Sequence, residues 1–214
     1  EDSQTAVEAA APGGIIYSEA QLADFDFLLN NFYTVDSSTA ISSSVLNAQR
    51  LLEKDLTIDT SAEGPQILIY HAHSQEGFLD SEPGNLETTI VGVGDYLAQI
   101  LQETYGYEVM HNREVFDMVD GKEDRNEAYT LAGERVEQIL AENPSIQVVI
   151  DLHRDGVDES TKLVTDVNGK STAKLMFLNG LSYSKKNGQI SYLPNPYIED
   201  NMAMTLNMQL LASK

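Results

Sequence analysis

Two short runs, Gln66-Ile67-Leu68-Ile69-Tyr70 and Ile146 to Leu152, are almost wholly apolar. Strands buried on both faces of a parallel sheet read this way, without the alternation of a half-exposed strand. Between them lie two helix-length segments, about Leu86 to Thr104 and about Asp124 to Glu142, and a further strand, Tyr107 to Met110. The first helix carries Ile90, Val91, Gly94, Leu97, Ala98 and Leu101 on one face, and Asn143-Pro144 stops the second. Strand-helix-strand-helix-strand predicts an α/β fold, with a mainly parallel sheet flanked by helices and right-handed crossovers.

The flanking regions read differently. Residues 1–16 are small and polar and are expected to be a disordered lead-in. Residues 17–64 are expected to be an N-terminal helical arm, with a helix from the Ser18/Gln21 capping box to about Asn31 and another over Ser38 to Lys54. Ile41, Val45, Leu46, Ala48, Leu51 and Leu52 give the second helix an apolar stripe. Residues 65–214 form the expected α/β domain. Within it, Lys162–Val167 and Ser171–Leu178 flank Asn168-Gly169, predicting a β-hairpin insertion. A last helix is predicted from Asn195-Pro196 to about Ala212.

Composition narrows the function. Lys and Arg number 13 against 34 Asp and Glu, a formal net charge of −21. Such a surface repels phosphate backbones and anionic lipid, so no nucleic-acid partner is expected. There is no cysteine, so a metal site must use His, Asp and Glu. No apolar run reaches the roughly 18 residues of a membrane span. The start at Glu1-Asp2-Ser3-Gln4 reads as an edge downstream of a removed anchor.

The chemistry-bearing residues cluster by position. Of four histidines, His71 and His73 follow the first predicted strand and His153 follows the third, while His111 lies beyond the second. Ligands of open parallel sheets bind beyond the carboxyl ends of the strands. A catalytic zinc takes three protein ligands and leaves a place for water. Glu87, in a first helical turn, is a candidate third ligand, although a carboxylate there also suits the helix dipole. Glu76 and Asp151 are rivals. Asp151-x-His153 and His71-x-His73 can each present two side chains on one face. A single strand-end histidine is more often structural; three on one rim favour metal binding. Arg154-Asp155 reads either as an orienting pair or as a loop ion pair. Ser74 has no Gly-x-Ser-x-Gly elbow, and Gly92-x-Gly94 lies within a helix rather than after a strand.

The segments Ile67-Leu68-Ile69-Tyr70-His71-Ala72-His73-Ser74-Gln75-Glu76 and Val148-Val149-Ile150-Asp151-Leu152-His153-Arg154-Asp155-Gly156 resemble the stage II sporulation protein P family. So do Asn31-Phe32-Tyr33-Thr34-Val35-Asp36 and Asn195-Pro196-Tyr197. This resemblance implies kinship with zinc N-acetylmuramoyl-L-alanine amidases and their three-layer sandwich. It implies His73, Glu87 and His153 as ligands of Zn2+, with His71, Glu76, Arg154 and Asp155 around the metal or in contact with substrate. Arg113 resembles the Arg after the second strand, and Arg125 and Ala128 the motif opening the next helix. The implied activity is cleavage of peptidoglycan at the amide between N-acetylmuramic acid and L-Ala, with endopeptidase activity on stem cross-links. The implied partner is a stage II sporulation protein D-like lytic transglycosylase acting during engulfment. The implied location is extracytoplasmic, between mother-cell and forespore membranes, held by an anchor absent from this chain. The amidases' late catalytic Glu, in a Leu-x-Glu-x-Gly-like segment, has no counterpart here. The family is expected to continue past Lys214 with another strand and helix, so this chain is expected to be a poorly active fragment. Two other readings compete: a non-catalytic peptidoglycan-binding or partner-activating module, and a metallohydrolase using His71-x-His73 with Asp151 and His153. A (β/α)₈ barrel needs more than the about 150 residues available.

Overall fold

The computed structural model describes residues 14–158 and 160–214, so most of the expected lead-in lies outside the described residues. The chain divides into two compact units: residues up to Thr57 together with Leu163–Lys214, and Ile58–Lys162. The first unit opens with helices α1 (Glu19–Ala23) and α2 (Phe25–Phe32). Ser18 and Gln21 form a reciprocal capping box, but the single helix expected to about Asn31 is broken at Asp24. Asp24 closes α1 and caps α2 by accepting from Phe27 N at 2.8 Å. The helix expected over Ser38 to Lys54 shrinks to α3 (Ala48–Leu52). Ser42 and Ser44 hydroxyls bond each other at 2.6 Å, and Asn47 caps the start of α3. Such side chains satisfy local polar groups outside a helix and so compete with it.

The second unit holds a three-stranded parallel sheet. Strand β1 (Ile67–Tyr70) lies between β2 (Val109–His111) and β5 (Val148–Asp151). Ile67 pairs with Val109 on one side and Val148 on the other. Central placement explains the apolar run of β1: Ile67, Leu68 and Ile69 are all buried, each contributing roughly 1.5–3 kcal/mol. Helix α4 (Ile90–Glu103) joins β1 to β2, preceded by a turn of 3₁₀-helix at Leu86–Thr88. A short hairpin, β3 (Met118–Val119) with β4 (Lys122–Glu123), precedes helix α5 (Arg125–Glu142), which leads to β5. Asp124 caps α5 by accepting from Asn126 N and Glu127 N.

The order β2-β1-β5 means that the crossover from β1 to β2 and the one from β2 back past β1 to β5 run in opposite directions along the sheet. With one handedness they place their helices on opposite faces. The packing agrees: Ile67 and Ile69 cluster with Ala98 of α4, whereas Tyr70 and Ala72 lie with Ala128 and Ala132 of α5. The order reverses between β1 and β5, and the crevice at that point opens at their carboxyl ends. The second strand is shifted from its expected span, so His111 is its last residue rather than a loop residue.

Beyond Lys162 the chain returns to the first unit. Strands β6 (Val164–Val167) and β7 (Lys170–Ala173) form the expected hairpin. Its turn, Asn168-Gly169, has φ of 55° and 78°, the left-handed pair that Asn-Gly accommodates. The second hairpin strand stops at Ala173 instead of running to Leu178. A second small hairpin, β8 (Tyr183–Ser184) with β9 (Gly188–Gln189), precedes helix α6 (Ile198–Ser213). Met202, Ala203 and Leu206 of α6 share a core with Leu22, Leu28, Leu46, Ala48 and Leu51. The last helix therefore belongs with the N-terminal helices, not with the sheet to which the sequence boundary at residues 64 and 65 assigned it.

Candidate functional site

The chain leaves β1 at Tyr70 and turns through His71-Ala72-His73 at the crevice. Once out of extended geometry, His71 and His73 no longer share a face. His71 is buried on the α4 side, with Nδ1 2.8 Å from the carbonyl oxygen of Leu152 and Nε2 2.8 Å from His111 Nε2. His111 Nδ1 in turn lies 2.9 Å from Asp95 Oδ1. Burial lowers the pKa of both rings. Gly94 makes room for them: a Cβ there would stand 2.7 Å from each Nε2.

His73 turns instead toward α5 and β5. It is 2% exposed, and its ring centroid lies 5.2 Å from that of His153 and 4.8 Å from that of Tyr129. His73 Nδ1 is buried and has no hydrogen-bond partner. Burial, then the nearby Arg125 and His153 charges, lowers its pKa. The loop carrying it is fixed by Asp117, which is fully buried. Asp117 accepts from the Ser74 hydroxyl at 2.8 Å and from Gln75 N at 3.0 Å.

Two carboxylates flank His153. Its Nε2 lies 2.8 Å from Asp151 Oδ1 and its Nδ1 3.5 Å from Glu76 Oε2. These contacts, Asp151 first, raise its pKa to about 9. Asp151 also accepts from Ala72 N at 3.0 Å, tying β5 to the turn after β1. Glu76 is 8% exposed. Burial alone would raise its carboxyl, but contacts with His153, Arg125 and Arg154 N outweigh that and hold it at about 2. Arg125 Nη2 donates at 2.7 Å and Arg154 N at 2.9 Å. The Arg154 guanidinium bonds the backbone oxygens of Gly77 and Asp155, so the expected Arg154–Asp155 side-chain pair is replaced by backbone anchoring.

The sequence-derived set is thus brought together in part. His73, His153, Glu76 and Asp151 meet. Glu87 has a side chain 76% exposed and 4.0 Å from Arg113, which itself pairs with Asp95 at 3.3 Å. Among the described residues, no three His, Asp or Glu side chains stand as a ready metal cage. His73 offers a divalent transition ion a buried, unpartnered imidazole nitrogen, whereas both His153 nitrogens face carboxylates, so an ion there would have to displace Glu76 from Nδ1 and release the His153 proton. His71, held by His111 and Leu152, does not converge on the pair, which removes the main support for a His71-x-His73 site. Asp117, Asp95 and Tyr129 were not picked out from sequence. Nothing local marks them, because each acts across a gap in the chain that only folding closes.

Fold and site together define an α/β protein with a histidine-carboxylate centre at the switch point of a parallel sheet. The model of the family Stage II sporulation protein P matches residues 28–214, and the chain belongs to that family of sporulation proteins. Stage II sporulation protein P of Bacillus subtilis (strain 168) is 28% identical to it over 138 residues. That match covers 60% of this chain and 34% of the relative, so the chain spans about a third of the relative's length. No solved structure matches. Among the described residues, no helix is long and apolar enough to cross a membrane.

Proposed function

We propose that this chain carries the metal-binding centre of a zinc-dependent peptidoglycan hydrolase. It would cleave the amide between N-acetylmuramic acid and L-Ala, and cross-links between stem peptides, during spore engulfment. The carrying observation is the His73–His153 pair with its unpartnered Nδ1 at the carboxyl ends of β1 and β5. The β2-β1-β5 sheet with helices on both faces supports an amidase-like three-layer sandwich. Family membership supports an extracytoplasmic setting between the mother-cell and forespore membranes, with a stage II sporulation protein D-like lytic transglycosylase as partner.

In this reading His73 and His153 would hold Zn2+, and Glu87, which lies exposed beside Arg113, would be the third ligand that the family resemblance implies. Bound zinc would supply Lewis acidity toward the scissile carbonyl and a water of lowered pKa. Asp151 orients the His153 ring, as carboxylates behind metal-binding histidines do. Glu76 clamps α5 and the His153 loop against the turn after β1, and the burial of His73 keeps bulk water from its ring.

A specific observation favours a second reading. Glu76 is held at about 2 by its three contacts, and Asp151 is engaged with His153 and Ala72 N. Neither is a ready carrier of a proton from the attacking water to the leaving amine, which suits a peptidoglycan-binding module that does not cleave. Elemental analysis of the chain, His73→Ala and His153→Ala after zinc loading separates the readings, together with incubation on purified peptidoglycan. Zinc in the parent, lost in both variants, with slow release of new amino termini that disappears with the zinc, is the expected result. Binding to peptidoglycan with neither zinc nor release would select the module instead.

A further inference from the structure

Tyr129 stands out among the exposed aromatics. It is 59% exposed, on the second turn of α5, one residue beyond the buried Ala128. Its ring is braced edge-on by His73 at 4.8 Å and lies 6.5 Å from His153 at a tilt of 38°. Stability does not account for it. An aromatic left mostly in water contributes little burial, and Tyr is a poorer helix former than Ala, Lys or Glu. Tyr96 and Tyr105 are as exposed, but neither makes a ring contact with a histidine among the described residues. Among the described residues, only Tyr129 places an exposed aromatic ring against the His73–His153 pair.

We infer that Tyr129 contacts substrate and takes the amino-sugar ring beside the scissile amide on its open face. This rests on the peptidoglycan reading. The sugar side of that amide carries the lactyl ether and, through it, a ring of C–H bonds, whereas the first stem residue presents one methyl. A flat, partly apolar ring with a polar tip suits the former. Arg125, four residues earlier on the same helix face, is half exposed, but its guanidinium is committed to Glu76 and Glu123.

The test uses the metal-free chain, so that binding is read apart from turnover. Calorimetric titrations compare N-acetylmuramoyl-L-alanyl-D-isoglutamine with the sugar-free L-alanyl-D-isoglutamine. Tyr129→Ala should weaken binding of the muramoyl compound roughly tenfold and leave the dipeptide unaffected. Tyr129→Phe should recover most of that loss, Tyr105→Ala should behave as the parent, and Tyr129→Ala should take up as much zinc as the parent. Equal muramoyl affinity in Tyr129→Ala and parent would overturn the inference. So would an equal loss for both ligands, which would put the contact on the peptide. Loss of zinc uptake in Tyr129→Ala would reduce its role to bracing His73. A parent that neither binds the muramoyl compound nor releases product from peptidoglycan would remove the peptidoglycan reading itself.

Discussion

Arg125 donates to the buried Glu76 carboxylate at 2.7 Å and ties the first turn of α5 to the loop after β1. The same carboxylate accepts from the backbone of Arg154 at 2.9 Å. One side chain thus gathers three segments that are 49 and 78 residues apart in sequence.

Glu76→Gln keeps the size and removes the charge. It should destabilise the metal-free chain by about 2 kcal/mol, the scale of a hydrogen bond to a charged group. Half-exposure of Arg125 keeps the loss from being larger. Urea unfolding followed by circular dichroism measures it, and a midpoint equal to the parent's would show the clamp to be energetically idle.

Gly94→Ala sets two effects against each other. Alanine in a helix interior gains about 1 kcal/mol over glycine. The new Cβ, 2.7 Å from the Nε2 atoms of His71 and His111, costs about 1–3 kcal/mol because buried rings have little room to yield. A net loss is expected, with shifted imidazole resonances of both histidines in NMR spectra. A more stable variant would mean that the two rings are free to move.

Asp151→Asn tests the orienting carboxylate. Under the zinc reading it should lower zinc affinity roughly 10–100-fold, as measured by competition with a chromophoric chelator. Unchanged affinity would detach Asp151 from the metal centre.

Tyr33 gives the first unit an alkaline limit. Its hydroxyl is buried without a partner, and burial raises its pKa from 10.0 to about 12. Above pH 10 the unfolded chain sheds this proton while the folded chain keeps it. Its contribution is therefore complete below pH 10 and lost as the pH rises toward 12. Tyr33→Phe should flatten that decline and add about 1 kcal/mol at neutral pH by removing an unsatisfied polar group. Parallel stability–pH curves for the two proteins would contradict this.

Much of the sheet-bearing unit was legible in the sequence. The apolar runs of β1 and β5, the apolar face of α4, the Asn143-Pro144 stop of α5 and the Asn168-Gly169 turn are local patterns; β1 is buried as its run predicts, whereas the edge strand β5 leaves Val149 42% exposed. The same patterns put His73 and His153 at strand ends, because a parallel sheet aligns the carboxyl ends of its strands. The long helix expected over Ser38 to Lys54 shrinks to Ala48–Leu52 because serine hydroxyls in its first part bond locally and compete with the helix.

Tertiary structure alone decided the rest. An alternating pattern holds only while the backbone stays extended, so the partners of His71 and His73 were settled where the chain leaves β1, by packing against α4 and α5. Proximity in sequence made Glu87 a natural third donor, yet folding leaves it exposed beside Arg113 and brings Glu76 to His153. Likewise, the sequence predicts a last helix after Asn195-Pro196, but only the complementary surfaces of Leu22, Leu28, Leu46 and Leu51 determine where its Met202, Ala203 and Leu206 are buried. Secondary structure follows from interactions within a few residues. The site and the grouping of elements follow from contacts between residues far apart in the chain, whose geometry no local pattern carries.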